Sequence, residues 1–134
     1  AKDPVNFAAM VALNILNGEF KQVPVTTVRG LVESNAMIID AREPHEYQKS
    51  HLINAINIPL SQFRQRLDEI PKDQPVYIHC RSAQRSYNMT RALGQLGYDN
   101  IFNISGSFLG ICSYEYFNDQ TKNRKPIVTD YNFC

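Results

Sequence analysis

The sequence lacks several features that would assign it to a large class of proteins. It has no tryptophan and three cysteines, Cys80, Cys112 and Cys134, which are too few and too scattered for a disulfide scaffold. No apolar run approaches the roughly 18 residues that a membrane span requires, and the first residues lack the basic stretch and apolar run of a secretion signal. We therefore expect a soluble, cytoplasmic protein with no membrane partner.

Excess charge and ligand-binding motifs are lacking as well. Lys and Arg number 14 against 13 Asp and Glu, a net charge of +1, which argues against a nucleic-acid partner held by bulk charge. The histidines show no ligand spacing with the cysteines, so no metal site is predicted. No Gly-rich fingerprint follows a predicted strand, which leaves dinucleotide binding unsupported. The 134 residues, 43% of them apolar, are enough for one hydrophobic core.

Short apolar runs alternate with helical stretches along most of the chain. The runs are 37–39, 55–58, 76–78 and 101–104, and the helical stretches are 27–34, 61–67 and 86–96. Runs this short between helices predict an α/β fold with an open parallel sheet covered by helices on both faces. Ligands of such sheets bind beyond the carboxyl ends of the strands, so the loops after Ile39, Ile78 and Ile104 are the candidate site.

The loop after the third run carries the most specific signal. The run ends at His79, a helix is predicted to start near Ser86, and the residues between them are Cys80, Arg81, Ser82, Ala83, Gln84 and Arg85. A loop that turns into a helix N-terminus directs backbone N–H groups inward and stabilises an anion. From 74 to 98 the chain has three arginines and no acidic residue. We predict that Cys80 is a nucleophile whose thiolate this loop stabilises; the alternative is an ordinary buried cysteine.

Four segments resemble the rhodanese family, over a region from about 25 to 111. They are 39–47, 51–59, 80–85 and 103–107, which occur in the family's order. The resemblance implies a rhodanese-like open parallel sheet of five strands. It also implies a sulfurtransferase, in which Cys80 takes the outer sulfur of a sulfane-sulfur donor as a persulfide and passes it to a thiol acceptor.

The family resemblance also suggests roles for the neighbouring residues. The backbone amides of 81–86 would hold the anionic sulfur, and Arg85 would brace the loop or face the donor. Arg42 would add positive charge at the mouth of the site, while Asp40 would fix loops. His79 is predicted to be structural rather than catalytic.

Two alternatives to a sulfurtransferase are open. Related phosphatases and arsenate reductases have five residues between the cysteine and the arginine, whereas four separate Cys80 from Arg85, which disfavours them. A non-catalytic docking module is the other alternative, and the presence of Cys80 with both loop arginines argues against it.

The chain departs from the family pattern after Ser105-Gly106. A second glycine and a tryptophan are frequent there, whereas this chain continues with Ser107 and reaches Cys112 five residues later. Cys112 could act as a resolving thiol for Cys80, although an ordinary buried cysteine is the simpler interpretation.

The first residues resemble a different protein family. The stretch from Asp3 to Gly18 is a predicted helix that is apolar on more than one face. It is similar to the closing helix of the dimerisation domain in flavin-dependent coenzyme A disulfide reductases. This implies a helix and linker from a preceding reductase at 1–22, a rhodanese-like domain at 23–117 and a polar tail at 118–134. The parent would then use FAD, NAD(P)H and coenzyme A, none of them bound by this chain, with the reductase domain as partner.

Overall fold

A computed structural model of the chain describes residues 21–131. The helix predicted over 3–18 lies outside them. The strands are β1 (Gln22–Pro24), β2 (Met37–Asp40), β3 (Ile56–Asn57), β4 (Val76–His79) and β5 (Ile101–Ser105). The α-helices are α1 (Val28–Glu33), α2 (Pro44–Lys49), α3 (Gln84–Gln95) and α4 (Ser107–Lys122).

The five strands form one parallel sheet in the order β1-β5-β4-β2-β3. The register sets Asp40 of β2 beside His79 of β4, and Ile78 of β4 beside Asn103 of β5. Because all strands run in one direction, the loops that follow β2, β4 and β5 meet at one edge of the sheet. The predicted α/β fold with an open parallel sheet of five strands is confirmed.

Hydrophobic side chains cover both faces of the sheet. Successive residues of a strand point to opposite faces, and Ile38 and Ile39 of β2 accordingly enter two different core clusters. The Ile38 cluster contains residues of α1 and α4, such as Phe108. The Ile39 cluster contains residues of α3, such as Met89. Helices therefore lie on both faces, as predicted.

The sequence interpretation missed two helices, α2 and α4. Pro44 opens α2, and proline is favoured in a first helical turn. The backbone N–H of Glu43, just before the helix, donates to the Glu46 carboxylate at 3.1 Å. This short-range contact explains why a six-residue helix forms without a strong apolar periodicity.

The helix predicted over 61–67 is wrong. The structure instead has two 3-10 turns, Phe63–Gln65 and Leu67–Glu69. Phe63 is fully buried in the Ile39 cluster, so burial of this ring anchors the segment without a continuous helix.

The C-terminal part of the described chain packs against the core. α4 extends to Lys122, so the expected domain boundary at 117 falls inside a helix. Beyond it, Ile127 and Val128 are buried, and Val128 forms an antiparallel bridge with Leu52. The Ile53 N–H donates to the Ile127 carbonyl at 2.9 Å. The segment is a strap that completes the Ile38 cluster. None of the helices described here has the length and apolar character needed to cross a bilayer.

Candidate active site

Cys80 lies directly after β4, at the edge where the three central strands end. It is a free cysteine, 1% exposed. The Ala83 backbone N–H donates to Cys80 Sγ at 3.2 Å, and Ala83 has a left-handed φ of 106°. An L residue adopts such a φ at a cost of about 1–3 kcal/mol, so the loop holds a strained backbone at the point where it turns an amide toward the sulfur.

The first turn of α4 holds the Cys80 backbone. Ser107 Oγ accepts a hydrogen bond from the Cys80 N–H at 3.3 Å. The N–H of Phe108 donates to the Cys80 carbonyl at 2.9 Å, and the N–H of Leu109 donates to the Arg81 carbonyl at 3.1 Å. Three consecutive residues of one helix therefore fix the start of the cysteine loop.

Arg85, in the first turn of α3, is bound by a carboxylate of α2. Its Nη1 and Nη2 donate to Glu46 Oε1 and Oε2 at 2.6 and 3.0 Å. The hydrogen bond from Arg85 lowers the pKa of Glu46 from 4.5 to about 2, because its effect is larger than the rise in pKa that partial burial causes. Both groups are charged at neutral pH, so the pair ties the end of the cysteine loop to α2.

A second ion pair, between Asp40 and Arg42, is buried beneath the site. Arg42 Nε lies 3.0 Å from Asp40 Oδ1, and its Nη2 donates to Asp40 Oδ2 at 2.8 Å and to the Ser50 carbonyl at 2.6 Å. The guanidinium also lies 4.0 Å from the ring centroid of Phe108. Burial opposes ionisation of Asp40, but the hydrogen bonds and the positive charge of Arg42 hold the Asp40 pKa below its usual value.

His79 packs on the opposite side of the sheet from the thiol. Its ring is fully buried and stacks on Phe108, with ring centroids 5.8 Å apart. Nδ1 lies 3.1 Å from the Cys80 carbonyl, which only accepts, so Nδ1 carries the proton. Burial lowers the pKa of His79, so a neutral imidazole supports the backbone of Cys80, as the predicted structural role requires.

A cavity of about 180 Å³ lies beside the cysteine loop. Arg42, Glu46, Lys49 and Arg81 line it. The Arg42 and Glu46 charges are balanced by Asp40 and Arg85. Lys49 and Arg81 are exposed, and within residues 21–131 neither has an ion-pair partner. Among the four residues that line the cavity, the net positive charge therefore comes from Lys49 and Arg81.

A model of the rhodanese-like domain family matches residues 25–114. The chain belongs to this family. A sulfurtransferase of Allochromatium vinosum is 35% identical over 75 residues, which are 56% of this chain and 70% of that protein. The rhodanese resemblance predicted from the four sequence segments is thereby confirmed.

Solved structures that are similar to this rhodanese-like domain include two longer proteins. Reduced Bacillus anthracis CoADR-RHD is 39% identical with a TM-score of 0.73, over 81% of this chain and 19% of that one. A NAD-dependent persulfide reductase from A. fulgidus is 30% identical with a TM-score of 0.65, over 78% of this chain and 18% of that one. The chain thus spans less than a fifth of either of these longer proteins.

The structure brings most of the predicted site residues together around the rhodanese-like loop. Ser82 and Gln84 are exposed, and Ser86 is buried and donates to the Ala83 carbonyl at 3.1 Å. Arg85 is bound by Glu46, an arrangement that agrees with a bracing role; whether it also faces a donor stays a prediction. Arg42 is buried and paired with Asp40 instead of adding unbalanced charge at the mouth.

The structure does not bring Cys112 to Cys80. Cys112 is buried in the Ile38 cluster, whereas Cys80 belongs to the Ile39 cluster on the other face of the sheet. A resolving role for Cys112 therefore stays a prediction that this arrangement does not support. Among the described residues, no group of three or more His, Cys, Asp or Glu side chains could hold a metal ion.

Three site residues escaped the sequence interpretation: Glu46, Lys49 and Ser107. Glu46 lies inside the 39–47 segment, two residues after Pro44, and a proline of this kind could have marked the start of a helix. Nothing in the local sequence pairs Glu46 with Arg85, because the two are 39 positions apart. One feature of the sequence could have drawn attention to Ser107: it stands where the family often has a second glycine.

Proposed function

We propose that this domain is a sulfurtransferase that carries sulfane sulfur on Cys80. The observation that carries the proposal is the Ala83 N–H directed at Cys80 Sγ, at the start of the twelve-residue helix α3. An amide donor and a helix N-terminus stabilise negative charge on sulfur. The named activity of the A. vinosum relative supports the same chemistry.

The reaction needs no external oxidant or reductant. With thiosulfate, the Cys80 thiolate attacks the outer sulfur, the donor's S–S bond breaks, and its electron pair leaves with sulfite. The product is a Cys80 persulfide whose outer sulfur carries the negative charge. An acceptor thiolate then attacks that outer sulfur, and the Cys80 thiolate leaves with the electron pair. This is a two-step covalent transfer with ping-pong kinetics.

The residues around the loop serve this reaction by keeping its backbone fixed. Glu46 holds Arg85, and the first turn of α4 holds the peptide groups of Cys80. Lys49 and Arg81 give the approach a positive charge, which favours anionic donors. A rigid nucleophile presented to an attracted substrate lowers the entropic cost of each attack.

We further propose that the full-length protein joins this domain to a reductase. The support is the likeness to CoADR-RHD and to the NAD-dependent persulfide reductase, of which this chain matches less than a fifth. FAD, NAD(P)H and coenzyme A would belong to that reductase part; this chain contains no Gly-x-Gly-x-x-Gly motif of a dinucleotide site. The reductase domain would then be the partner that consumes the persulfide sulfur.

The test is mass spectrometry of the protein after treatment with thiosulfate or polysulfide. One added sulfur atom is expected on the Cys80 peptide, lost again on addition of an acceptor thiol. The Cys80→Ser variant should take up none, and the Cys112→Ser variant should behave like the wild type. Sulfur that persists in Cys80→Ser would overturn the proposal.

Two further outcomes would favour the alternatives. Hydrolysis of a phosphate ester that depends on Cys80 would indicate a phosphatase. A folded protein that accepts no sulfur from any donor would indicate a docking module.

A further inference from the structure

Ser107 combines complete burial with an unfavourable backbone conformation. It is the first residue of α4, its exposed fraction is 0%, and its φ is 50°. Left-handed backbone favours glycine, and an L residue found there needs a compensating interaction. Gly106, just before it, is also left-handed with a φ of 85°. The chain thus makes a left-handed turn at two successive positions and keeps a side chain at the second.

The compensating interaction is the contact between the Ser107 hydroxyl and the nucleophile's backbone. Ser107 Oγ accepts the Cys80 N–H at 3.3 Å. The same oxygen lies 3.4 Å from the Ile104 carbonyl, to which its proton is donated, and 3.5 Å from Ser86 Oγ. A glycine or alanine at 107 would leave the Cys80 N–H without this acceptor.

The hydrogen bond to Ser107 is the second of two that α4 forms with the peptide groups on either side of Cys80. The Phe108 N–H already binds the Cys80 carbonyl, so with Ser107 both the N–H and the carbonyl of the nucleophile are bound by one helix. The direction of Cys80 Sγ follows from this backbone orientation, and the Ala83 N–H meets the sulfur at 3.2 Å. A buried N–H that loses its acceptor favours rotation of the peptide group toward another partner, which would turn Sγ away from the Ala83 amide.

We propose that Ser107 is a positioning residue for sulfur transfer: its hydroxyl fixes the Cys80 peptide so that the sulfur faces the Ala83 amide. The inference rests on the proposed function of Cys80 and extends it to a residue that does not touch the donor. Ser107 acts through the backbone of Cys80, so its loss affects the rate of transfer more than the binding of the donor.

Two substitutions separate this role from a purely structural one. Ser107→Ala removes the hydroxyl and keeps the backbone strain, whereas Ser107→Gly removes the hydroxyl and relieves the strain. We expect Ser107→Gly to melt at a higher temperature than Ser107→Ala. Both should lose about two- to tenfold in kcat for sulfur transfer, the equivalent of one lost hydrogen bond, with the donor KM nearly unchanged. Ser113→Ala, an exposed position of the same helix, is the control.

Hydrogen exchange of the Cys80 amide measures the hydrogen bond to Ser107 directly, without an assay of sulfur transfer. It should be faster in both Ser107 variants than in the wild type. A wild-type kcat in Ser107→Gly, or an unchanged exchange rate of the Cys80 amide, would overturn the proposal. So would a loss of activity across the variants that is proportional to their loss of melting temperature. A wild type that transfers no sulfur would instead refute the function proposed for Cys80.

Discussion

Glu46 and Arg85 form a bidentate ion pair that joins α2 to the end of the cysteine loop, with N–O distances of 2.6 and 3.0 Å. Both side chains are partly exposed, at 21% and 32%. A pair at this depth adds little to global stability, up to about 1 kcal/mol. Its main consequence is local, because Arg85 lies in the first turn of α3 and adjoins the loop that carries Cys80.

Removing one partner of this pair should reduce activity more than stability. In Glu46→Gln the amide can still bind Arg85 but lacks the charge, and we expect sulfur transfer to fall about two- to tenfold as the loop loses its orientation. Arg85→Ala should show a similar loss. Glu69→Gln, which removes the charge from the exposed pair with Arg66 in the same way, is the matched control. Steady-state transfer rates check this, and unchanged rates in Arg85→Ala would show that the arginine has no role.

The Glu46 pair should also contribute to the acid sensitivity of the protein. The pKa of Glu46 falls from 4.5 to about 2 because of the Arg85 hydrogen bond. A depressed folded-state pKa contributes stability that is complete above the unfolded value and is lost as the pH falls toward the folded value. The contribution should therefore disappear between pH 4.5 and about 2.

Urea unfolding of the wild type and Glu46→Gln measures this contribution. The difference between their unfolding free energies should be largest above pH 4.5 and should shrink below it. Asp40 acts in the same direction in both proteins, because its pKa is also lowered, so it cancels in the comparison. A difference that stays constant on acidification would contradict the assigned role of the pair.

The charges of Lys49 and Arg81 should favour anionic reagents over neutral ones at Cys80. Iodoacetate and iodoacetamide have similar size and differ in charge. In Lys49→Gln we expect the iodoacetate rate to fall about two- to threefold, the change produced by one unit charge at roughly 8 Å in water. The iodoacetamide rate should be unchanged. Peptide mapping after timed alkylation measures both rates.

A lysine outside the cavity provides the control for this charge effect. Lys125 is exposed and does not line the cavity, so Lys125→Gln should leave the ratio of the two rates unaltered. Equal slowing of both reagents in Lys49→Gln would mean that the lysine affects access rather than charge.

The strap after α4 should contribute to the core as much as the strands do. Ile127 is 3% exposed, whereas Ile53, its backbone partner, is 55% exposed. Ile127→Ala should lower the free energy of unfolding by about 2–5 kcal/mol, and Ile53→Ala should change it by about 0.5 kcal/mol or less. Chemical denaturation measures both. A small effect of Ile127→Ala would mean that the strap is dispensable.

The fold was predictable from the sequence because its strands are short apolar runs separated by helices. The runs that include Ile39, Ile78 and Ile104 all became strands of the parallel sheet. α2 was missed because six residues are too few to show a periodicity, and the helix over 61–67 was wrong because burial of Phe63 was enough to order that segment. The local sequence pattern predicts long regular elements, but it fails where burial against the rest of the protein determines the backbone conformation.

Within the site, the sequence alone determined the candidate nucleophile and the length of its loop. Cys80 follows a buried strand, and four residues separate it from Arg85; both facts depend only on neighbours along the chain. Only the tertiary structure decided what each charge does. Arg42 is balanced by Asp40 and Arg85 by Glu46, whereas Lys49 and Arg81 line the cavity and have no ion-pair partner among the described residues. The reason is physical: a charge acts on whatever lies within a few ångströms. Glu46 and Arg85, 39 positions apart along the chain, become neighbours only when the sheet brings their two helices together.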